Sequence, residues 1–143
     1  MEQYRIETEE EVRTYLLNLK YALDAGAKIR VQTYRRIDEM REEKYTNHYT
    51  LSELFKGEDV VVAMEREIRS LKINEYMRTV KDLRFPNRSE MREFGRVYNG
   101  TDEVYIKVRV ELLDVGNFGG HTVFVMSFHY AEKPFCKKDF PYQ

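Results

Sequence analysis

The pattern that most constrains this chain lies in its last third. Val104, Ile106, Val108, Val110 and Leu112 alternate strictly with Tyr105, Lys107, Arg109 and Glu111. That is the period-2 signature of a strand with one dry and one wet face. The next run, His121 to His129, sets Phe124, Met126 and Phe128 on one side and Ser127 and His129 on the other. If the two runs form a hairpin, their apolar sets share the core face, because a slip of one residue turns every side chain over. Tyr105, Lys107, Arg109, Ser127 and His129 are then expected together on the opposite face. A pairing whose residue numbers sum to about 234 places His129 directly across from Tyr105.

Upstream, Thr8 followed three residues later by Glu11 forms a capping box. Val12, Tyr15, Leu16, Leu19 and Leu23 supply the apolar stripe of a first helix, and Gly26 its stop. Residues 28–34 alternate as a strand carrying Ile29 and Val31. The charged run 35–47 is compatible with a short helix, a strand extension or a loop. Thr50 with Glu53 reads as a second capping box, opening a turn through Leu51, Leu54 and Phe55. Val60, Val61, Met64, Ile68 and Leu71 are at helical spacing within residues 59–71. Residues 74–78 read as a further helical turn, followed by an irregular segment through residues 85–87, and residues 94–98 read as a strand. Asn99-Gly100 is a strong hairpin signal, since both residues accept a positive φ. A two- or four-residue loop there brings Arg96 to the same face as Tyr105 and Lys107, with Arg78 a candidate for its edge. Residues 134–143 read as an irregular tail. Helices grouped before an antiparallel meander predict one α+β domain over residues 1–143, with helices on one face of a small antiparallel sheet and the other face exposed.

The bulk figures narrow the function classes. The 143 residues suit one domain with a real core. No run approaches the ~20 apolar residues of a membrane helix, and Met1-Glu-Gln-Tyr-Arg has no apolar segment of a secretory signal. A single cysteine, Cys136, excludes an internal disulfide framework and suits a reducing cytoplasm. The net charge of −1, from 24 basic and 25 acidic residues, does not by itself advertise nucleic-acid binding. The acids crowd the N-terminus (Glu7, Glu9, Glu10, Glu11), while basic residues are denser from 78 to 109. Eleven tyrosines without a tryptophan suit interfaces and clefts as well as core edges.

RNA cleavage without a metal requires a group that helps deprotonate the ribose 2′-hydroxyl, one that protonates the leaving 5′-oxygen, and cations on the phosphorane. His, Lys, Arg and Tyr divide such tasks, and Arg96, Tyr105, Lys107, Arg109 and His129 are the candidates. His48 and His121 fall in expected loops and have no comparable neighbours. The scattered histidines and the lack of Cys-x-x-Cys or His-Glu-x-x-His spacing argue against a metal site. Gly116, Gly119 and Gly120 belong to an expected hairpin loop, not to the strand-to-helix turn of a phosphate cradle. Ser127 lacks the adjacent acid of a hydrolase triad.

The stretch Asp102-Glu-Val-Tyr-Ile-Lys-Val-Arg-Val110, followed by Val125-Met-Ser-Phe-His-Tyr-Ala-Glu-Lys-Pro134, resembles the end of MqsR-type toxins in the RelE-like superfamily. Those proteins carry a Val-Tyr-x-Lys strand and a last strand ending Ser-Phe-Lys or Ser-Phe-His. Leu71-Lys-Ile-Asn-Glu-Tyr-Met-Arg78 and Phe94-Gly-Arg96 are weaker matches. The resemblance implies a RelE-like α+β fold and an mRNA endonuclease restrained by a cognate antitoxin protein; with the composition and spacing above, the expectation is a cytoplasmic protein with no cofactor, metal or membrane. The resemblance ties Tyr105, Lys107, His129 and Arg78 to cleavage; Arg96 and Arg109 join them as candidate phosphate ligands from the strand pattern. Arg78 stands where a lysine is known in the family, and the charged run 35–47 is longer than the family pattern. A second class stays open: a non-catalytic phage or mobile-element binding protein that sequesters a host factor through a tyrosine-rich surface.

Overall fold

Local signals set the helices. The computed structural model describes residues 1–34, 40–112 and 120–143. After an edge strand β1 (Glu2–Arg5), Thr8 caps helix α1 (Glu9–Asp24). Its hydroxyl accepts the Glu11 amide at 3.1 Å, and the Glu11 carboxylate accepts the Thr8 amide at 2.9 Å. Such a cap is worth about 1 kcal/mol. The helix ends on Gly26 at φ 82°, and the Gly26 and Ala27 amides bond back to the Leu23 and Ala22 carbonyls. Strand β2 (Lys28–Val31) follows.

Helix α2 spans Asn47–Leu54 and is capped by Thr46, not Thr50. The expected capping box at Thr50 fails because that residue lies inside the helix, where its hydroxyl accepts the Tyr130 amide at 2.9 Å. Helix α3 (Val60–Arg69) is capped by Asp59, whose carboxylate accepts the Val62 amide at 3.0 Å. Val61 and Val62 face outward, so the buried stripe is Ala63, Met64 and Ile68.

The expected helical turn at residues 74–78 is a 3₁₀ turn, Ile73–Glu75, that runs directly into strand β3 (Tyr76–Asp82). Strands β4 (Met91–Tyr98), β5 (Asp102–Glu111) and β6 (Thr122–Tyr130) form the meander. Among the described residues the sheet has six strands in the order β1-β3-β4-β5-β6-β2. All its neighbours are antiparallel except β2 and β6. The protein is thus α+β, with three α-helices among the described residues on an open, mostly antiparallel sheet. The expected hairpin loop lies outside the described residues except Gly120, as do residues 35–39 of the charged run.

One face of the sheet carries the core. Phe94, Val104, Ile106, Val108, Val123, Val125 and Phe128 are fully buried against Val12, Leu19, Ala63, Met64 and Ile68. Two irregularities decide what reaches the other face. Asn99 and Gly100 both take positive φ as expected, 52° and 80°. However, pairing resumes at Tyr98↔Asp102, so three residues separate the strands. An odd loop reverses parity: Arg96 lies opposite Val104 on the helix side, and Gly95 takes the place across from Tyr105. In β6, Lys107↔Ser127 is followed by Val108↔Val125, leaving Met126 as one extra residue. This bulge moves Phe124 and Met126 off the core face where the alternation alone had set them, and puts Val123 and Val125 there instead.

Candidate active site

The face away from the helices holds the predicted cluster, and the strand register supplies it. Tyr105↔His129 and Lys107↔Ser127 are cross-strand pairs, at the expected sum of 234. The Tyr105 and His129 rings lie 5.3 Å apart, and the Lys107 ammonium is 6.0 Å from the Tyr105 ring. Helix α2 holds this end of β6 in place. Where β2 stops pairing, the Asn47 amide donates to the Gln32 and Met126 carbonyls at 2.8 and 3.1 Å, and its oxygen accepts the Phe128 amide at 2.9 Å. Asn47 therefore satisfies the backbone groups that the bulge at Met126 frees, and Thr50 serves the Tyr130 amide beyond it.

These side chains line a cleft of about 770 Å³ together with Glu2, Arg41, Arg78, Glu93 and the tail. The tail forms a wall. Phe135 and Phe140 pack edge to face, and both close over Gly95, where a Cβ would sit 2.8 Å from Phe140 and 2.9 Å from Phe135. Tyr142 stacks on Tyr76 and donates to the Glu7 carbonyl. The tail holds a 3₁₀ turn, Lys137–Asp139, and docks on the sheet through Phe135, Phe140 and Tyr142.

His129 is 5% exposed and its two nitrogens have different partners. Nε2 lies 3.3 Å from the Arg41 guanidinium, and Nδ1 lies 2.9 Å from the Tyr130 carbonyl. Arginine can only donate, so Nε2 must accept and Nδ1 must carry the proton. Burial pushes the imidazolium below the usual histidine range; Arg41 and Lys107 add to this, against the Tyr130 carbonyl and Glu132. His129 is thus held neutral with its lone pair toward the cleft. Arg41 is itself paired to Glu132 at 3.1 Å.

Tyr105 is held protonated: burial raises its pKa, as do the charge of Glu93 and its hydrogen bond, against the effect of Arg78. Glu93, 2% exposed, also accepts from Arg78 at 2.7 Å, and the Arg78 guanidinium sits 3.8 Å over the Tyr4 ring. Lys107 is 4.0 Å from the Glu2 carboxylate.

Of the predicted residues, Tyr105, Lys107 and His129 come together, with Arg78 at the rim. Arg109 shares the face but lines a neighbouring cleft, paired to Glu111 at 2.6 Å and 4.0 Å over Phe124. Arg96 does not belong to the site. It donates to Glu75, to the Glu67 and Ser70 carbonyls and to the Ser70 hydroxyl, at 2.8–3.1 Å, on the helix side. Arg41, Glu93 and Glu2 are additions. Glu93 precedes the strand expected at 94–98 and has the parity opposite to Arg96, so the sequence carried no signal for it; Arg41 lay in the run that periodicity left undecided. Of the tyrosines, Tyr15 and Tyr76 are core, whereas Tyr4, Tyr21 and Tyr34 are strongly exposed. Among the described residues no group of three or more His, Cys, Asp or Glu side chains is placed to hold a metal ion, and no helix is long and apolar enough to cross a membrane.

No protein-family model matches the chain, and no curated protein or solved structure matches it.

Proposed function

We propose that this protein is an endoribonuclease that cleaves single-stranded mRNA without a metal, as the toxin of a toxin–antitoxin pair of the RelE-like, MqsR type. The observation that carries the reading is the cross-strand pair Tyr105↔His129 beside Lys107, which brings a neutral imidazole, a protonated phenol and an ammonium into one cleft. His129 Nε2 takes the proton of the ribose 2′-hydroxyl as its oxygen attacks phosphorus. The bond to the 5′-oxygen breaks, Tyr105 delivers a proton to that leaving oxygen, and a 2′,3′-cyclic phosphate remains. Lys107 and Arg41 bear the charge of the phosphorane. A phosphate in the cleft offers Arg41 a charged acceptor, which frees the Nε2 lone pair that Arg41 occupies in the unbound protein.

The test is cleavage of a labelled single-stranded RNA in EDTA by the wild type and by His129→Ala/Lys107→Ala, with the product ends identified. Fragments with 2′,3′-cyclic ends, abolished in the double variant, are expected. A requirement for added divalent metal, or full activity in the double variant, would overturn the mechanism.

One observation favours a second reading, a non-catalytic binding protein. Arg41, Arg78, Lys107 and Arg109 each face a carboxylate (Glu132, Glu93, Glu2 and Glu111), so much of the face is charge-compensated. Intact RNA together with capture of a protein partner that Lys107 and Arg78 variants release would select it.

A further inference from the structure

Beyond Lys107 the same face continues into a second cleft of about 600 Å³, which shares Glu2 and Lys107 with the first. Eight basic and five acidic side chains line the two clefts, in a chain whose net charge is −1. The two clefts thus carry a modest excess of basic over acidic lining side chains. The far wall of the second cleft is the turn between β3 and β4. Phe85 stands on it 40% exposed, with the Arg88 guanidinium 3.8 Å and the Arg84 guanidinium 5.6 Å from its ring centre.

This turn is built, not loose. The Phe85 amide bonds the Asp82 carbonyl at 3.1 Å and the Arg88 amide bonds the Phe85 carbonyl at 3.0 Å. The Lys81 ammonium donates to the Pro86 carbonyl at 3.0 Å and to that of Arg88. An apolar ring is thus fixed in water beside two cations. Arg84 is tied to Asp82 at 2.9 Å. Among the described residues Arg88 is the one arginine of the two clefts that has no carboxylate partner. An exposed aromatic face next to an uncompensated guanidinium, at the end of a basic groove, is the combination that binds unpaired bases and their phosphates.

We propose that the β3–β4 turn is a base-stacking subsite for single-stranded RNA, in which an unpaired base lies on the Phe85 ring and Arg88 takes an adjoining phosphate. The strand then runs past Lys107 toward His129. The subsite rests on the nuclease reading for its biological substrate, but its binding is measurable without cleavage.

The probe is a fluorescein-labelled 2′-O-methyl RNA 12-mer, which lacks the attacking hydroxyl, compared with a chain of equal length bearing abasic spacers. Phe85→Ala is expected to weaken binding of the base-bearing chain at least about fivefold and to leave the abasic chain unchanged. Phe85→Trp should restore affinity, and Arg88→Ala should weaken both chains. Equal binding of the base-bearing chain by wild type and Phe85→Ala overturns the subsite, as does wild type that binds neither chain. Phe85-dependent binding by a protein that cannot cleave unmodified RNA would keep the subsite and remove the nuclease. Cleavage by a protein indifferent to Phe85→Ala would do the reverse.

Discussion

Arg96 and Lys107 sit on neighbouring strands and were expected on one face, yet they belong to opposite faces with opposite uses of charge. On the helix side, Arg96 is enclosed by acceptors from α3 and the following 3₁₀ turn, and Arg92 donates to the Glu7 carboxylate at 2.7 and 3.2 Å. Those cations fasten helices and the β1–α1 junction to the sheet. Across the sheet, Lys107 lies 4.0 Å from the Glu2 carboxylate in the cleft, and Arg41 divides itself between His129 and Glu132. A charge enclosed by fixed carbonyls and carboxylates is structural, because nothing from solution can replace those ligands without unfolding. A charge at the edge of a cleft that shares itself between two partners, as Arg41 does, can exchange one of them for a phosphate.

The largest effect that tests this contrast is on turnover. His129→Ala should lower RNA cleavage by about 10²–10⁴, with the far-UV spectrum retained; a smaller loss would leave His129 a structural residue. Arg96→Ala should do the converse. Truncation strands Glu75 beside the Glu67 and Ser70 carbonyls and should lower stability by about 3–5 kcal/mol in urea titrations. Binding of the 2′-O-methyl 12-mer should be unchanged where the variant is folded. Loss of that binding at full stability would return Arg96 to the substrate face.

Much of this arrangement was legible and some was not, for physical reasons. The Thr8/Glu11 box and the Gly26 stop depend on neighbours in sequence, so local chemistry sufficed. The Tyr105↔His129 pairing was legible because one residue of slip would bury Lys107 among valines. Arg96 is misplaced by a turn of three residues where an even loop of two or four was expected, and Phe124 and Met126 by a bulge whose freed backbone groups are satisfied by Asn47, about 80 residues away. Neither device is written in the segment it alters. Strand β1 escaped notice because all four of its residues are exposed at an edge, so no alternation marks it. Strand β3 was read as a helical turn because a register shift between Tyr76 and Arg78 breaks its period.

On the helix side, Glu7→Gln should cost about 2 kcal/mol at neutral pH and change the acid response. Burial raises the Glu7 pKa, but the bonds from Arg92 and Thr79 outweigh it and hold it below 4.5. Because the folded pKa is depressed, this stability is present above the unfolded glutamate value and is lost as pH falls through the folded one. Urea midpoints from pH 6 to 2.5 should therefore fall more steeply for wild type than for the variant; parallel curves would detach Glu7 from the acid limb.

The smallest effect, and the sharpest for the cleft, concerns Arg41. The folded His129 pKa is depressed below 6.5, first by burial and then by Arg41. The unfolded chain therefore binds the proton more readily just below that pH. Stability is complete above 6.5 and declines as pH falls toward the folded pKa, by no more than about 1.36 kcal/mol per pH unit for one proton. If neutral His129 is the base, the acid limb of kcat/KM follows the same depressed value. Arg41→Ala removes a positive neighbour and leaves the burial, so the limb should move to higher pH but stop short of the free histidine value. The His129 ring-proton titration followed by NMR should shift the same way. A limb and a titration that stay in place would mean that Arg41 contacts the lone pair without setting its proton affinity, and would reduce it from a positioning residue to a neighbour.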